Sequence, residues 1–173
     1  QLGYSPIHAG LMMLPAALFG TLAKGWIVPL VKRFGYRGFL RVNTLIVGAS
    51  IMAFALVSPA SSPIVALVIL AIFGGANSMQ FAAMNSATLK DLSREDAGSG
   101  NSLFSMVQML ALGLGVSIGG GLVQAFAAHW GSTQGGFEFS FVCVGGITLL
   151  SALLFRRIDN APPARMTTAA PAQ

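Results

Sequence analysis

One lysine and two sets of carboxamides stand out in a chain that is otherwise poor in polar groups. Lys24 lies in an apolar run from Ala9 to Val31, seven residues from the end that meets a basic turn. Asn77, Gln80, Phe81, Met84 and Asn85 follow a glycine pair at 74 and 75, and Asn101, Ser105 and Gln108 open a later run. An ammonium, five carboxamides in two helical runs and a hydroxyl are charge-pairing and hydrogen-bonding groups. None of them pairs a nucleophile with a base, and no metal ligands cluster, so no catalytic and no metal site is expected. What such a set can do is hold a small molecule, with Phe81 and Met84 adding adaptable apolar surface.

Spacing supports a shared wall. At about 100° per residue, Gly74, Asn77, Gln80, Phe81, Met84, Asn85 and Thr88 fall on one helix face about 140° wide. Asn101, Ser105, Gln108, Leu112, Gly115 and Gly119 likewise share a face. Amides on facing helices also bond one another, contributing only about 0.6 kcal/mol on average, so helix packing accounts for any single residue. The whole set reads better as a cavity lining. Lys24 would sit about 10 Å below the membrane interface at 1.5 Å per residue. An ammonium at such depth costs roughly 2.5 to 3.5 kcal/mol unless it faces protein or water. It either faces a cavity, holding an anionic group or pairing with an acid elsewhere in the protein, or its stem snorkels to the headgroups; the cavity is preferred. Gly115 and Gly119 form a Gly-x-x-x-Gly step that reads as close helix packing.

The elements that position these groups must be transmembrane helices. The 173 residues are 54% hydrophobic and only 9% charged, with a mean hydropathy of +0.74. A soluble domain carries about a quarter charged residues, so the expected fold class is all-α integral membrane. Five spans are expected, at about 9–31, 39–57, 64–88, 101–128 and 139–155, within a single unit over 1–158. Residues 159–173, rich in Ala, Pro and Thr, read as a disordered tail. Pro15 and Pro29 should kink the first span, each removing a helical hydrogen bond.

Charge gives the orientation. Nine of the ten basic residues fall in or beside 32–41, 90–94 and 156–165, while the segments between alternate ends carry none. Short loops rich in Lys and Arg stay on the cytoplasmic side, so the chain is expected to start outside and end inside. That clustering is a topology signal and a poor footprint for nucleic acid, despite the net charge of +5. Gly35 and Gly38 should let the turn at 32–41 reverse direction. A short helix start is expected at Ser93, three residues before Asp96. His129 to Glu138 should form an outer loop. His8 and His129 receive no chemistry, and Cys143, the single cysteine, reads as a small apolar residue. Asp91, Glu95, Asp96, Glu138 and Asp159 all fall in loops or at span ends, which leaves Lys24 the one ionisable group deep in a span. No phosphate-binding glycine loop is present to serve an ATP-driven pump, and neither an enzyme nor a cofactor is expected. The chain begins at Gln1 with neither Met nor signal-peptide order, and reads as a piece of a longer protein.

Three segments carry a family likeness: Gly3-Tyr-Ser-Pro-Ile-His-Ala-Gly-Leu-Met-Met-Leu-Pro15, Arg33-Phe-Gly-Tyr-Arg37, and Met84-Asn-Ser-Ala-Thr-Leu-Lys-Asp-Leu with Gly98-Ser-Gly-Asn-Ser-Leu103. Together they resemble the major facilitator superfamily, and within it the bacterial fourteen-span drug:proton antiporters of the EmrB/QacA type. Leu30, Arg33, Gly35, Arg37 and Leu40 fit that superfamily's cytoplasmic loop motif, whereas Val28 stands in place of its first glycine and Lys32 in place of its aspartate. The resemblance therefore implies the turn without the acidic latch. It further implies the last five spans of a proton antiporter in a bacterial inner membrane, its first, third and fourth spans lining a central cavity for small amphipathic compounds. An N-terminal bundle of the same chain would complete that cavity, and the coupling carboxylate would lie in it. The competing expectation is a self-standing five-span structural or regulatory membrane protein that binds partner helices through its glycine faces.

Overall fold

The computed structural model describes residues 6–57, 61–89 and 96–157, and every regular element among them is helical. Six α-helices follow one another: α1 Pro6–Met12, α2 Leu14–Ala23, α3 Ile27–Ala53, α4 Pro63–Leu89, α5 Ala97–Trp130 and α6 Thr133–Ser151. Short 3₁₀ turns occupy Lys24–Trp26, Phe54–Leu56 and Leu154–Arg157. Three stretches are long and apolar enough to cross a membrane, namely 10–56, 63–88 and 98–130.

The first of these stretches holds a reversal. Gly35, at φ 69° and ψ 164°, breaks α3 into two arms. That backbone region is essentially closed to any residue with a Cβ. The order of contacts shows the change of direction. Gly20 lies against Gly74 and Ser78, while Ile27, Leu30 and Val31 join Met79 and Ala87 further along, so α2 and the first arm run parallel to α4. Beyond Gly35, Phe39 and Leu40 pack with Ala83, Asn43 reaches Ala76 and Gln80, and Phe54 meets Phe73, so the second arm runs antiparallel to it. Gly38, expected to share the turn, instead lies inside the second arm; among the described residues only Gly35 and Gly131 have positive φ. One glycine suffices because both arms are otherwise regular helix.

The proline breaks fall one step upstream of the expected positions. Pro15 stands in the first turn of α2, where its missing N–H costs nothing, and the interruption is the Met12–Leu14 junction. Pro29 likewise lies in the first turn of α3. Its lost bond to the Gly25 carbonyl is absorbed by the tighter 3₁₀ turn at Lys24–Trp26.

α6 packs along the second arm of α3, with Gly48 against Gly145 and Leu149 and the Phe54 and Phe141 rings 5.6 Å apart. The outer loop expected from His129 to Glu138 shrinks to Gly131 and Ser132. Gly131 ends α5 in the left-handed conformation, and the Ser132 Oγ caps α6 by accepting from the Gly135 N–H at 3.1 Å. Trp130 stacks on Phe139 at 4.6 Å across this hairpin, so the helices stay paired up to the turn. Ser93 lies outside the described residues; α5 begins at Ala97 with Asp96 in the capping position. α5 is 34 residues long, or about 51 Å, and along its apolar window it has no buried side chain. The core sits at the other end of the structure, around Phe39, Leu40 and Ala83, with Phe155 closing over it from α6's end.

Candidate functional site

Two clefts open on either side of α4. The first, about 550 Å³, lies between α2 and α4 and is lined by Thr21, Lys24, Asn77, Ser78, Phe81 and Asn85. Close approach of the two helices builds its floor: a Cβ on Gly74 would stand 2.6 Å from the Ala16 Cα, which only glycine permits. Lys24 projects from the 3₁₀ turn between α2 and α3 and is exposed. Among the described residues neither its ammonium nor the Asn77 amide has a hydrogen-bond or ion-pair partner. The other polar groups of the wall are partly satisfied locally. Thr21 Oγ1 donates to the Ala17 carbonyl at 2.9 Å, and the Asn85 Nδ2 donates to the Phe81 carbonyl at 3.1 Å.

The second cleft, about 640 Å³, separates α4 from α5. It is largely apolar, with Met84 on one side, Phe104, Met109 and Leu112 on the other, and Gln80 and Gln108 at its polar edge. Phe81 and Asn85 line both clefts, so the two meet at one turn of α4.

The polar face anticipated on α4 is thus divided. Asn77, Phe81 and Asn85 stand with Lys24, and Met84 faces α5. Gln80, at one edge of the face, is drawn into a buried interhelical network. Its Oε1 accepts from the Asn43 Nδ2 at 2.8 Å and its Nε2 donates to the Thr44 Oγ1 at 2.7 Å. Asn43 also donates to the Ala76 carbonyl at 2.8 Å. Asn43 and Thr44 are each only 2% exposed, so this network locks α3 to α4. Asn101 is exposed and Ser105 half-buried, and neither lines these two clefts.

Thr21 and Ser78 were not picked out by spacing, although Thr21 stands one turn before Lys24 and Ser78 one turn after Gly74. The glycine step on α5 meets nothing: a Cβ at Gly115 or Gly119 would have no neighbour within 4 Å among the described residues. Tight helix crossings form instead at Gly20 with Gly74 and at Gly48 with Gly145. In the loop motif, Leu30 and Leu40 join the core, Gly35 makes the reversal, and the Arg33 guanidinium lies 5.5 Å from the Phe34 ring centroid. Arg37 follows in the second arm and is half-buried. No cluster of metal ligands occurs among the described residues.

A family model described as Major Facilitator Superfamily matches residues 1–116, which carry the reversal, both walls of the Lys24 cleft and most of α5. The chain belongs to the major facilitator superfamily. It is 43% identical over 164 residues to a protein of Cronobacter sakazakii named "Putative multidrug resistance protein MdtD", covering 92% of this chain and 35% of that one. Proteins of the same name from Serratia proteamaculans and Yersinia enterocolitica are 42% and 39% identical over 96% and 91% of this chain. The chain spans about a third of the length of these relatives. No solved structure matches it. As a superfamily member with all-helical architecture and long apolar helices, the chain is part of a multi-pass membrane protein.

Proposed function

We propose that the chain is the C-terminal, five-span part of a secondary active transporter that exports small amphipathic compounds in exchange for protons. The observation that carries this reading is the meeting of a polar cleft holding Lys24 with an apolar cleft at Phe81 and Asn85. A site that offers one charge, several amides and a flexible apolar wall suits a loosely specified amphipathic compound. The names of the relatives, which concern multidrug resistance, favour the same class. It is a transporter wall and no enzyme. Asn101, Ser105 and Gln108 belong to the lining on α5 once the rest of the protein faces them.

In this reading an N-terminal bundle of the same protein closes the cavity over the open face of α5, where Gly115 and Gly119 provide close packing. Two bundles rocking about the site alternate its access, and the proton-coupling carboxylate lies in the other bundle. The basic end of the fold, with Lys32, Arg33, Arg37 and Arg41, faces the cytoplasm of a bacterium, and the tail from 159 follows it there.

Proton-linked dye efflux from cells expressing the full-length parent gene tests the proposal. Wild type is compared with a Lys24→Ala, Asn77→Ala, Gln108→Ala variant matched for membrane expression. Efflux by wild type that collapses in the variant is the expected result. Absence of efflux by wild type overturns transport and returns the self-standing structural role to first place.

A further inference from the structure

The paired clefts differ in the charge they can accept. Among the described residues Lys24 is the one charged side chain lining either of them, and it stands on the polar side only. Around it are Asn77, Ser78 and Asn85, which supply further donors, while the Thr21 hydroxyl proton and one Asn85 N–H are already given to backbone carbonyls. The described carboxylates lie elsewhere: Asp96 precedes α5, and Glu138 on α6 accepts from Gln134 at 2.9 Å. On the far side of Phe81 the wall turns apolar, through Met84, Phe104, Met109 and Leu112. Polar and apolar lobes therefore follow one another across a single turn of α4, with Phe81 and Asn85 common to both.

Resting on the transport reading, we propose that the site selects amphipathic monoanions, with a carboxylate or sulfonate head at Lys24 and an apolar ring body passed over Phe81 into the α4–α5 lobe. An ammonium binds an anionic oxygen through short, charge-assisted hydrogen bonds. A cationic head of the same size would face a like charge there, an arrangement that discriminates by repulsion as well as by attraction. Methionine on both walls of the apolar lobe, Met84 and Met109, lets the body vary in shape while the head is held. The order of groups along α4 thus fixes both the sign of the substrate's charge and which end enters which lobe.

Three probes with one body test this: N-dansylglycine, its uncharged amide, and the cationic dansyl-ethylenediamine. Their proton-gradient-driven uptake is measured in everted membrane vesicles holding the full-length parent protein. Wild type is expected to favour the anion over the amide by about tenfold or more, the ratio that one good charge-assisted contact gives. Lys24→Gln is expected to bring that ratio close to one, and Lys24→Arg to keep it. Because the ratio is internal to each vesicle preparation, differences in expression or folding cancel. A wild type that favours the cation, or a Lys24→Gln variant with its ratio unchanged, overturns the anion assignment and leaves the transport reading intact. Uptake of none of the probes by wild type overturns both.

Discussion

At the scale of single residues, what could be read in advance was the identity of the polar groups, and what could not was which of them spend their bonds on a neighbour. Lys24, Asn77, Phe81 and Asn85 line one cleft because their helical angles point them the same way and glycines at 20 and 74 bring their helices together. Gln80 stands at the edge of the same face, about 60° from Asn77, and both ends of its amide are engaged by Asn43 and Thr44. Only the register of α3 against α4 decides that, and register is a property of two helices which no single helix reveals. Asn43 and Thr44 are polar residues in a mainly apolar run, and burial to 2% is what marks them as an anchor. A double-mutant cycle on the purified full-length protein checks this. Asn43→Ala and Gln80→Ala should each lower stability, and their coupling should fall at about 0.6 to 1.7 kcal/mol, the span seen for interhelical polar bonds in membranes. Additive effects, with no coupling, would contradict the network.

Among the elements, the basic turn shows how far local sequence reaches. Two glycines, three and six residues past Lys32 in a charged segment, signal a reversal, and the reversal is there, but the two glycines are not equivalent. Gly35 alone takes φ 69° and ψ 164°; Gly38 is helical and its Cβ position is clear apart from an ordinary 3.5 Å contact with the Phe34 Cβ. Gly35→Ala therefore forces a side chain into a glycine-only region, at a cost of about 1 to 3 kcal/mol. Gly38→Ala should instead be neutral or stabilising, by up to about 1 kcal/mol, since alanine is the better helix former. Thermal unfolding of the full-length protein followed by size-exclusion chromatography should show a lower midpoint for Gly35→Ala and an unchanged or higher one for Gly38→Ala. The proline kinks teach a similar lesson. Loss of a hydrogen bond was predictable at Pro29, whereas its relief by a 3₁₀ turn at Lys24–Trp26 depends on how the preceding residues repack. That turn is also what sets Lys24 at a break in the helix.

For the whole molecule, charge and packing point the same way although they are independent. The reversal at Gly35, the core of Phe39, Leu40 and Ala83, and Phe155 gather at one end of the helices, which is also the end carrying Lys32, Arg33, Arg37 and Arg41. The opposite end holds the Gly131 turn and the rings of Phe54, Phe73, Phe141, Trp130 and Phe139, in segments without Lys or Arg. Trp130, beside the Gly131 turn, suits a membrane–water interface on the non-cytoplasmic side, and the basic end suits the cytoplasm. The gathering of basic residues at one end was legible from charge; the splayed placement of α5 was not, because nothing in its own sequence says what covers it. Orientation can be measured in the full-length protein with Cys143→Ala as background and single cysteines introduced at Ser61, Thr133 or Ser93. An impermeant thiol reagent added to intact cells should label the cysteines at 61 and 133, which lie at the aromatic end of α4 and α6. The one at 93, between α4 and α5, should react only after the cells are made permeable. Labelling in the reverse pattern would turn the molecule over in the membrane, and the Lys24 cleft would then open nearest the outside, inconsistent with a site that loads from the cytoplasm.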